Sequence, residues 1–287
     1  MVGLPARGKT HFSRKLTRYL TWLGYHAKVF NIGDKRRKVL GVEETSKAEF
    51  FDPKNKGAKK QREMLAEQTL TDVVKFLNSG DGNIAIFDGT NTDIKRRKKI
   101  RYVVNTYIPD TDLIFLELVC TDEAQVHKNI IKTKVFSPDF KGWDDEDIIS
   151  NFKDRIKKYE SIYEELSPEK EADGDNIQFI KSINCNDQVI SHNIQGYLNL
   201  KIMTFLLNLH LEDRPLYLLR HGESEFNVEN RIGGDASLTE KGIKFGKLLN
   251  EFFEDEKTKI ECDKFILNTR TLNRSKQTAA QLDLEKG

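Results

Sequence analysis

Gly3-Leu4-Pro5-Ala6-Arg7-Gly8-Lys9-Thr10 is the stretch from which the rest of this 287-residue chain is read. It fits G-x-x-x-x-G-K-[ST], a loop whose backbone wraps around phosphate. Gly3 and Gly8 let the chain turn so that its N–H groups face an anion. A helix expected over about residues 9–23 adds the positive end of its dipole. Lys9 brings a cation for the β- and γ-phosphates, and Thr10 a hydroxyl for Mg²⁺. Such a loop should leave the end of a buried strand, yet only Met1 and Val2 precede it. The first strand is therefore expected to be missing and the chain to be a fragment.

Downstream of the loop, strand and helix patterns alternate. Ala27–Asn31 reads as a short strand and residues 57–78 as a helix with Leu65, Thr69, Val73 and Leu77 along one stripe. Ile84–Phe87 is an unbroken apolar run, the mark of a parallel strand buried on both faces. A helix over 93–105 carries the basic run Lys95–Lys99, spread around its circumference. A strand over 113–119, a long helix over 144–166 stopped before Pro168, and a strand over 177–183 follow. Ile190, Ile194, Leu198, Ile202 and Leu206, four apart, predict one further helix. The pattern is that of an α/β domain with a mainly parallel sheet. Leu211-Glu212-Asp213-Arg214-Pro215 breaks it, and a strand at Leu216–Leu219 is expected to open a second domain. The domains are placed at 1–212 and 213–287.

Composition bounds the function. Charged residues reach 32%, but their signs nearly cancel to a net +2, which argues for no acidic partner. Cys120, Cys185 and Cys262 are odd in number and far apart, so they form no disulfide or metal pattern. No run approaches the length of a membrane span and the N-terminus is no signal peptide. A cytoplasmic protein without nucleic-acid or membrane partners is expected.

Asp88 closes the strand at Ile84–Phe87, where a carboxylate faces the phosphate loop and can serve Mg²⁺ or an acceptor hydroxyl. Arg36, Arg62 and Arg96 suit a phosphorylated acceptor, because a planar guanidinium forks onto phosphate. Arg155 and Tyr159, four apart, share a helix face. Lys132 and Lys134 lie in a stretch that reads as a lid. In the second domain Arg220-His221-Gly222-Glu223 follows the expected strand. Its imidazole is placed to attack phosphorus, with Arg220 holding phosphoryl oxygens and Asn227, Gly233 and Arg274 adding donors.

With these pieces in order, the chain resembles the bifunctional 6-phosphofructo-2-kinase/fructose-2,6-bisphosphatase family. The motifs that carry the resemblance are Gly3–Thr10, Phe30–Arg37, Phe87–Thr92 and Arg220–Glu223. It implies a P-loop kinase domain, followed by the N-terminal part of a histidine-phosphatase domain like that of phosphoglycerate mutase. It implies ATP and Mg²⁺ at Gly3, Leu4, Pro5, Ala6, Arg7, Gly8, Lys9 and Thr10, with Asn129 on the nucleotide side. Lys9, Asp88 and Cys120 make its kinase catalytic set, and Thr10 and Asp88 its metal-side residues. Fructose 6-phosphate is expected at Arg36, Arg62, Thr90, Arg96, Lys134, Arg155 and Tyr159. Fructose 2,6-bisphosphate is expected at His221, Arg220, Asn227, Gly233 and Arg274, and a homodimer is allowed.

The chain also departs from the family pattern. Gly89 stands where Ala is familiar, and Lys35, where an aromatic is familiar, is expected to add charge beside Arg36. No histidine follows His221, so the phosphatase half is expected to be incomplete and inactive. Two rival readings stay open: a P-loop kinase of another small molecule or a nucleic-acid end, and a nucleotide-responsive regulatory subunit without turnover.

Overall fold

The computed structural model describes all residues except 44, 135–136, 172–176, 210–214, 261–264 and 287, together with the side chains of 133, 134, 185, 285 and 286. The expected linker at 211–215, the side chains of Lys134 and Cys185, and Cys262 fall wholly or largely outside the described residues. Contacts divide the chain into two units, Met1–Glu212 and Asp213–Gly287.

The first unit begins with α1 (Lys9–Trp22), β1 (Ala27–Asn31), α2 (Ile32–Leu40), α3 (Lys56–Asn78) and β2 (Ile84–Asp88). It continues through α4 (Ile94–Tyr107), β3 (Ile114–Val119), α5 (Glu123–Lys134), α6 (Asp145–Glu160) and α7 (Pro168–Glu171) to β4 (Gln178–Ile183), β5 (Gln188–His192) and α8 (Tyr197–Leu207). β1 pairs with β2 in parallel, β3 with β4 in parallel, and β4 with β5 antiparallel. Met1–Gly3 lies between the two ladders. The Met1 nitrogen donates to Phe87 O at 2.9 Å, and Val2 N to Leu116 O at 2.7 Å. Val2 O takes the Leu118 N–H at 3.0 Å. The place where a strand was expected to be missing is thus held by two residues, which feed directly into the phosphate loop.

Alternating side chains load both faces of this sheet. Phe12, Leu16 and Leu20 of α1 join Ile202 and Leu206 of α8 over Ile86, Leu116 and Ile180. On the opposite face, Leu70 and Val73 of α3 and Ile100 and Val104 of α4 pack on Phe115 and Phe179. At about 25 cal/mol per Å² of apolar surface, each fully buried Leu, Ile or Phe contributes about 1.5–3 kcal/mol. A third cluster joins Ile130 of α5 to Ile148, Phe152 and Ile156 of α6, with Ala6 and Cys120 at its edge. It brings the loop, β3 and both helices to one place.

Several sequence expectations are corrected here. The helix predicted over 144–166 stops at Glu160. Beyond it the chain takes tertiary partners instead: Glu164 N donates to Thr92 O at 2.9 Å, and Leu166 N to Glu117 Oε1 at 3.1 Å. The single helix expected from Ile190 is a strand containing Ile190, a turn, and a helix that starts only at Tyr197. Gly196 at φ 85° separates the two. Lys134 is the last residue of α5. The ammonium of Lys35 pairs with Asp72 of α3 at 2.8 Å, which offsets the charge expected beside Arg36. A Cβ on Gly89 would meet Ile32 Cδ1 at 2.5 Å, so Ile32 fills the room a methyl would take.

In the second unit, α9 (Glu225–Val228), α10 (Glu240–Ile260) and α11 (Asn273–Ala279) accompany a short parallel pair, β6 (Ile266–Leu267) with β7 (Glu285–Lys286). The strand expected at Leu216–Leu219 is not formed. Leu216, Leu218 and Leu219 are 82%, 87% and 45% exposed, and no described strand lies alongside them. An apolar run alone does not make a strand without a ladder to receive its N–H groups.

Candidate functional site

The phosphate loop takes its shape from residues in left-handed conformation: Gly3 at φ 132°, Ala6 at 60° and Gly8 at 81°. At Gly3 a Cβ would lie 2.5 Å from Leu118 O, so no larger residue fits between the loop and β3. Gly8 is the N-cap of α1 and offers no side chain to it. The N–H groups of the first turn are thereby left for an anion. Lys9 is 9% exposed and folds its ammonium onto the Leu4 carbonyl at 2.5 Å, inside the curve of the loop. Asn129 of α5 fixes the far side by donating to Ala6 O at 3.1 Å.

Arg7 turns to the side. Its Nη1 donates to Pro5 O at 3.2 Å and its Nη2 lies 3.9 Å from Glu160. Burial lowers its pKa against the opposing pull of Cys120 and Glu160. Cys120 itself is buried at the end of β3, with Sγ 3.6 Å from Asp122 O.

Asp88, 2% exposed, ends β2 beside the loop. Its Oδ2 accepts from Thr10 Oγ1 at 2.8 Å and from Asn31 Nδ2 at 2.5 Å. Sequence reasoning missed Asn31. It is the register partner of Asp88 across the β1–β2 ladder, so both strands deliver a polar side chain at the same level. The Asn31 amide is oriented because its Oδ1 accepts the Asp34 N–H at 2.9 Å as the N-cap of α2. Two hard oxygen donors, the Thr10 hydroxyl and the Asp88 carboxylate, stand side by side below the loop. That donor set fits Mg²⁺.

Arginines gather around Phe50, Phe51 and Asp139. Arg36, 3% exposed, forms an ion pair with Asp139 and donates to Thr45 O at 3.0 Å. Arg155 lays its guanidinium 3.4 Å from the centre of the Phe51 ring, and Tyr159 stands 6.1 Å from the same ring. Arg62 donates to the Phe50 carbonyl and sits 6.0 Å from its ring. Burial pushes the Arg155 pKa down to about 10, Tyr159 pulls against this, and the charge of Arg36 pushes the same way. Burial also lowers Arg62, with Tyr159 opposing and Arg96 adding to the fall, so the charge of Arg96 reaches this cluster. Asp139 is depressed. Burial would raise it, but the charge and hydrogen bond of Arg36, with Arg37 and Arg155, outweigh that. Phe51 and Asp139 were not picked out from the sequence. Thr90 lies on the loop after β2, and its carbonyl accepts the Gly3 N–H at 2.9 Å.

In the second unit, His221 Nδ1 lies 2.7 Å from Gly222 O. A carbonyl only accepts, so this contact puts the proton on Nδ1 and leaves the Nε2 lone pair available. Gly222 N donates to Thr278 Oγ1 at 3.0 Å, and a Cβ on Gly222 would meet Gly242 O at 2.5 Å. Arg274 Nη1 donates to Gly234 O at 2.8 Å, next to Gly233. Asn227 Oδ1 accepts from Ser224 N at 3.0 Å and from Ser224 Oγ at 2.9 Å. Arg220 is exposed.

Comparison with known proteins gives the same two parts. A family model described as 6-phosphofructo-2-kinase matches residues 1–213, and one described as the histidine phosphatase superfamily (branch 1) matches residues 216–287. The chain is 41% identical over 259 residues to 6-phosphofructo-2-kinase/fructose-2,6-bisphosphatase 3 of Rattus norvegicus, covering 90% of this chain and 46% of that protein. It is 42% identical over 255 residues to 6-phosphofructo-2-kinase 1 of Saccharomyces cerevisiae, covering 88% and 30%. It is 38% identical over 288 residues to a fructose-2,6-bisphosphatase of the same yeast, covering 100% and 61%. The chain thus spans about half the length of the curated relatives it matches. No helix among the described residues is long and apolar enough to cross a membrane. With its phosphate loop, the carboxylate beside it and the arginine cluster, the chain belongs to the 6-phosphofructo-2-kinase family, followed by a segment of the histidine phosphatase superfamily.

Proposed function

We propose that the first unit transfers the γ-phosphoryl group of ATP to the 2-hydroxyl of fructose 6-phosphate, giving fructose 2,6-bisphosphate and ADP. The observation that carries this reading is the contact of Thr10 with Asp88 at 2.8 Å, which joins the phosphate loop to a buried carboxylate. Mg²⁺ held near Thr10 and Asp88 would offset phosphate charge. The open amides of the loop and α1 hold the nucleotide's phosphates, with Lys9 at the transferring group. Asp88 takes the proton of the acceptor hydroxyl as its oxygen bonds to phosphorus and the bond to the β-phosphate oxygen breaks. The guanidinium groups of Arg36, Arg62, Arg96 and Arg155 bind the sugar's own phosphate, with Thr90, Tyr159 and Lys134 around it. Cys120, buried in the cluster that includes Ala6 of the loop, completes the kinase set that we propose with Lys9 and Asp88.

The second unit contributes the nucleophile of a bisphosphatase. His221 Nε2 attacks the 2-phosphate, and Arg220, Arg274 and the Gly233 loop face the phosphoryl oxygens. Asn227 supports the loop through Ser224. A cytoplasmic homodimer acting on small sugar phosphates is the setting we propose.

The experiment is a substrate screen with ATP and Mg²⁺ against hexose phosphates and a 5′-hydroxyl oligonucleotide. Fructose 2,6-bisphosphate as the main product is expected. Phosphorylated oligonucleotide would replace this reading with that of a nucleic-acid kinase. ATP binding without any product would replace it with that of a regulatory subunit.

A further inference from the structure

Behind the site runs a buried ionic line that phosphate chemistry does not use. Of the basic run Lys95–Lys99, Arg97 alone is fully buried, at 0% exposure. Its Nε donates to Glu171 Oε1 at 2.7 Å and its Nη2 stands 2.5 Å from the same oxygen; Glu171 is also 0% exposed. A buried pair of this kind costs desolvation and is weak support for stability on its own. The geometry of its remaining donor is more informative. Arg97 Nη1 reaches the carbonyl of Asn91 at 3.1 Å.

Asn91 sits at the centre of the loop that carries Thr90. It is 3% exposed and held at φ 44°. Its Nδ2 donates to Met1 O at 2.8 Å, while the neighbouring Thr90 O accepts the Gly3 N–H at 2.9 Å. The peptide before Asn91 and the Asn91 side chain are therefore both laced to the segment that enters the phosphate loop. A left-handed Asn is costly unless its surroundings hold it, and the Arg97 hydrogen bond does so from the side away from the loop. On that side Glu164 also holds the turn, donating its N–H to Thr92 O at 2.9 Å and accepting the Ile94 N–H on its Oε2 at 2.8 Å.

We infer that Arg97 is a positioning residue for phosphoryl transfer. It fixes the Asn91–Thr92 peptide, and through the Asn91 side chain and the adjoining Thr90 carbonyl the spacing between the phosphate loop and Asp88. Glu171 orients the guanidinium and offsets its charge. The inference rests on the proposed kinase reading. A misplacement of the order of 1 Å between donor and acceptor costs roughly 10²-fold in rate, so a remote hydrogen bond on this loop has leverage on turnover.

The test uses the whole chain and two variants, Arg97→Met and the double variant Arg97→Met/Glu171→Leu. The double variant replaces the ion pair by an apolar pair, which often leaves stability unchanged or raised. Arg97→Met should lower kcat by roughly 10- to 100-fold with the KM for ATP within about two-fold. The double variant should regain the melting temperature without regaining kcat. Recovery of kcat together with stability would reduce Arg97 to a structural role and overturn the inference, as would unchanged kcat in Arg97→Met. Amide exchange at Gly3, measured without substrate, should quicken in both variants because its Thr90 acceptor is released; unchanged exchange also overturns the inference. If the unaltered chain makes no fructose 2,6-bisphosphate, the kinase reading fails, and the exchange measurement still decides the positioning of the loop.

Discussion

Thr10 of α1 and Asn31 of β1 converge on a single oxygen, Oδ2 of Asp88, at 2.8 and 2.5 Å. Because both donors use one oxygen, Asp88→Asn can keep both contacts by presenting its amide oxygen there. What it loses is the ability to take a proton. A positioned general base is typically worth ~10² to 10⁴ in rate. Asp88→Asn should therefore lose turnover by about that factor while melting near the unaltered chain. Turnover within about ten-fold of the original would remove Asp88 from the proton path.

Lys9 holds its ammonium 2.5 Å from Leu4 O, within the phosphate loop. A phosphate that enters the loop offers it a stronger, charged acceptor. Removing one such cation from a preorganised site costs on the order of 10²-fold or more in kcat. Lys9→Met should do so with its fold intact by circular dichroism. Near-normal product formation by this variant would sink the assignment of the loop.

The spacing within the motif made the loop, α1 and the strand-end Asp88 legible, because each is encoded within a few residues. Asn31 was also within reach, since it ends β1 as Asp88 ends β2, but only once the parallel register is known. Asp139 was not: it meets Arg36 across 103 residues, and no local pattern records that. The four-residue spacing from Ile190 to Leu206 suits a helix throughout, and the antiparallel ladder with β4 overrode it at the first of these positions. Leu216–Leu219 failed for the opposite reason, since apolar content promised a strand where no described strand pairs with it.

Asp139 makes a pH prediction. Despite burial, the charges of Arg36, Arg37 and Arg155 hold its pKa below the usual 3.8. A depressed folded-state pKa gives stability that is present above the unfolded pKa and lost as pH falls through the folded one. The chain should therefore lose this contribution only below about pH 4. Asp139→Asn removes it at every pH and should flatten the unfolding profile there. An equal slope in both proteins would mean that Asp139 is not the group being titrated.

His221 has its Nδ1 committed to Gly222 O, which leaves Nε2 as the attacking atom. In a version extended to carry the rest of the phosphatase domain, incubation with fructose 2,6-bisphosphate radiolabelled at the 2-phosphate should give an acid-labile label, absent from His221→Ala and weak or absent in the 287-residue chain. A label that survives this substitution would place the nucleophile elsewhere.

The last prediction separates the two substrates. Arg155 lies 3.4 Å from the centre of the Phe51 ring and Arg62 donates to the Phe50 and Asp52 carbonyls, so each guanidinium is held before any ligand arrives. A fixed fork loses little freedom on meeting phosphate, and a hydrogen bond to a charged group contributes about 1.5–3 kcal/mol. Replacing either arginine by Leu should raise the KM for fructose 6-phosphate by roughly 10- to 150-fold and leave that for ATP nearly unchanged. Arg155→Lys should recover only part of the loss, because an ammonium keeps the charge but neither stacks as a plane nor binds two oxygens at once. Full recovery by lysine would show that charge alone matters at this position. A change confined to the KM for ATP would move the arginine cluster to the nucleotide side and exchange the two halves of the proposed site.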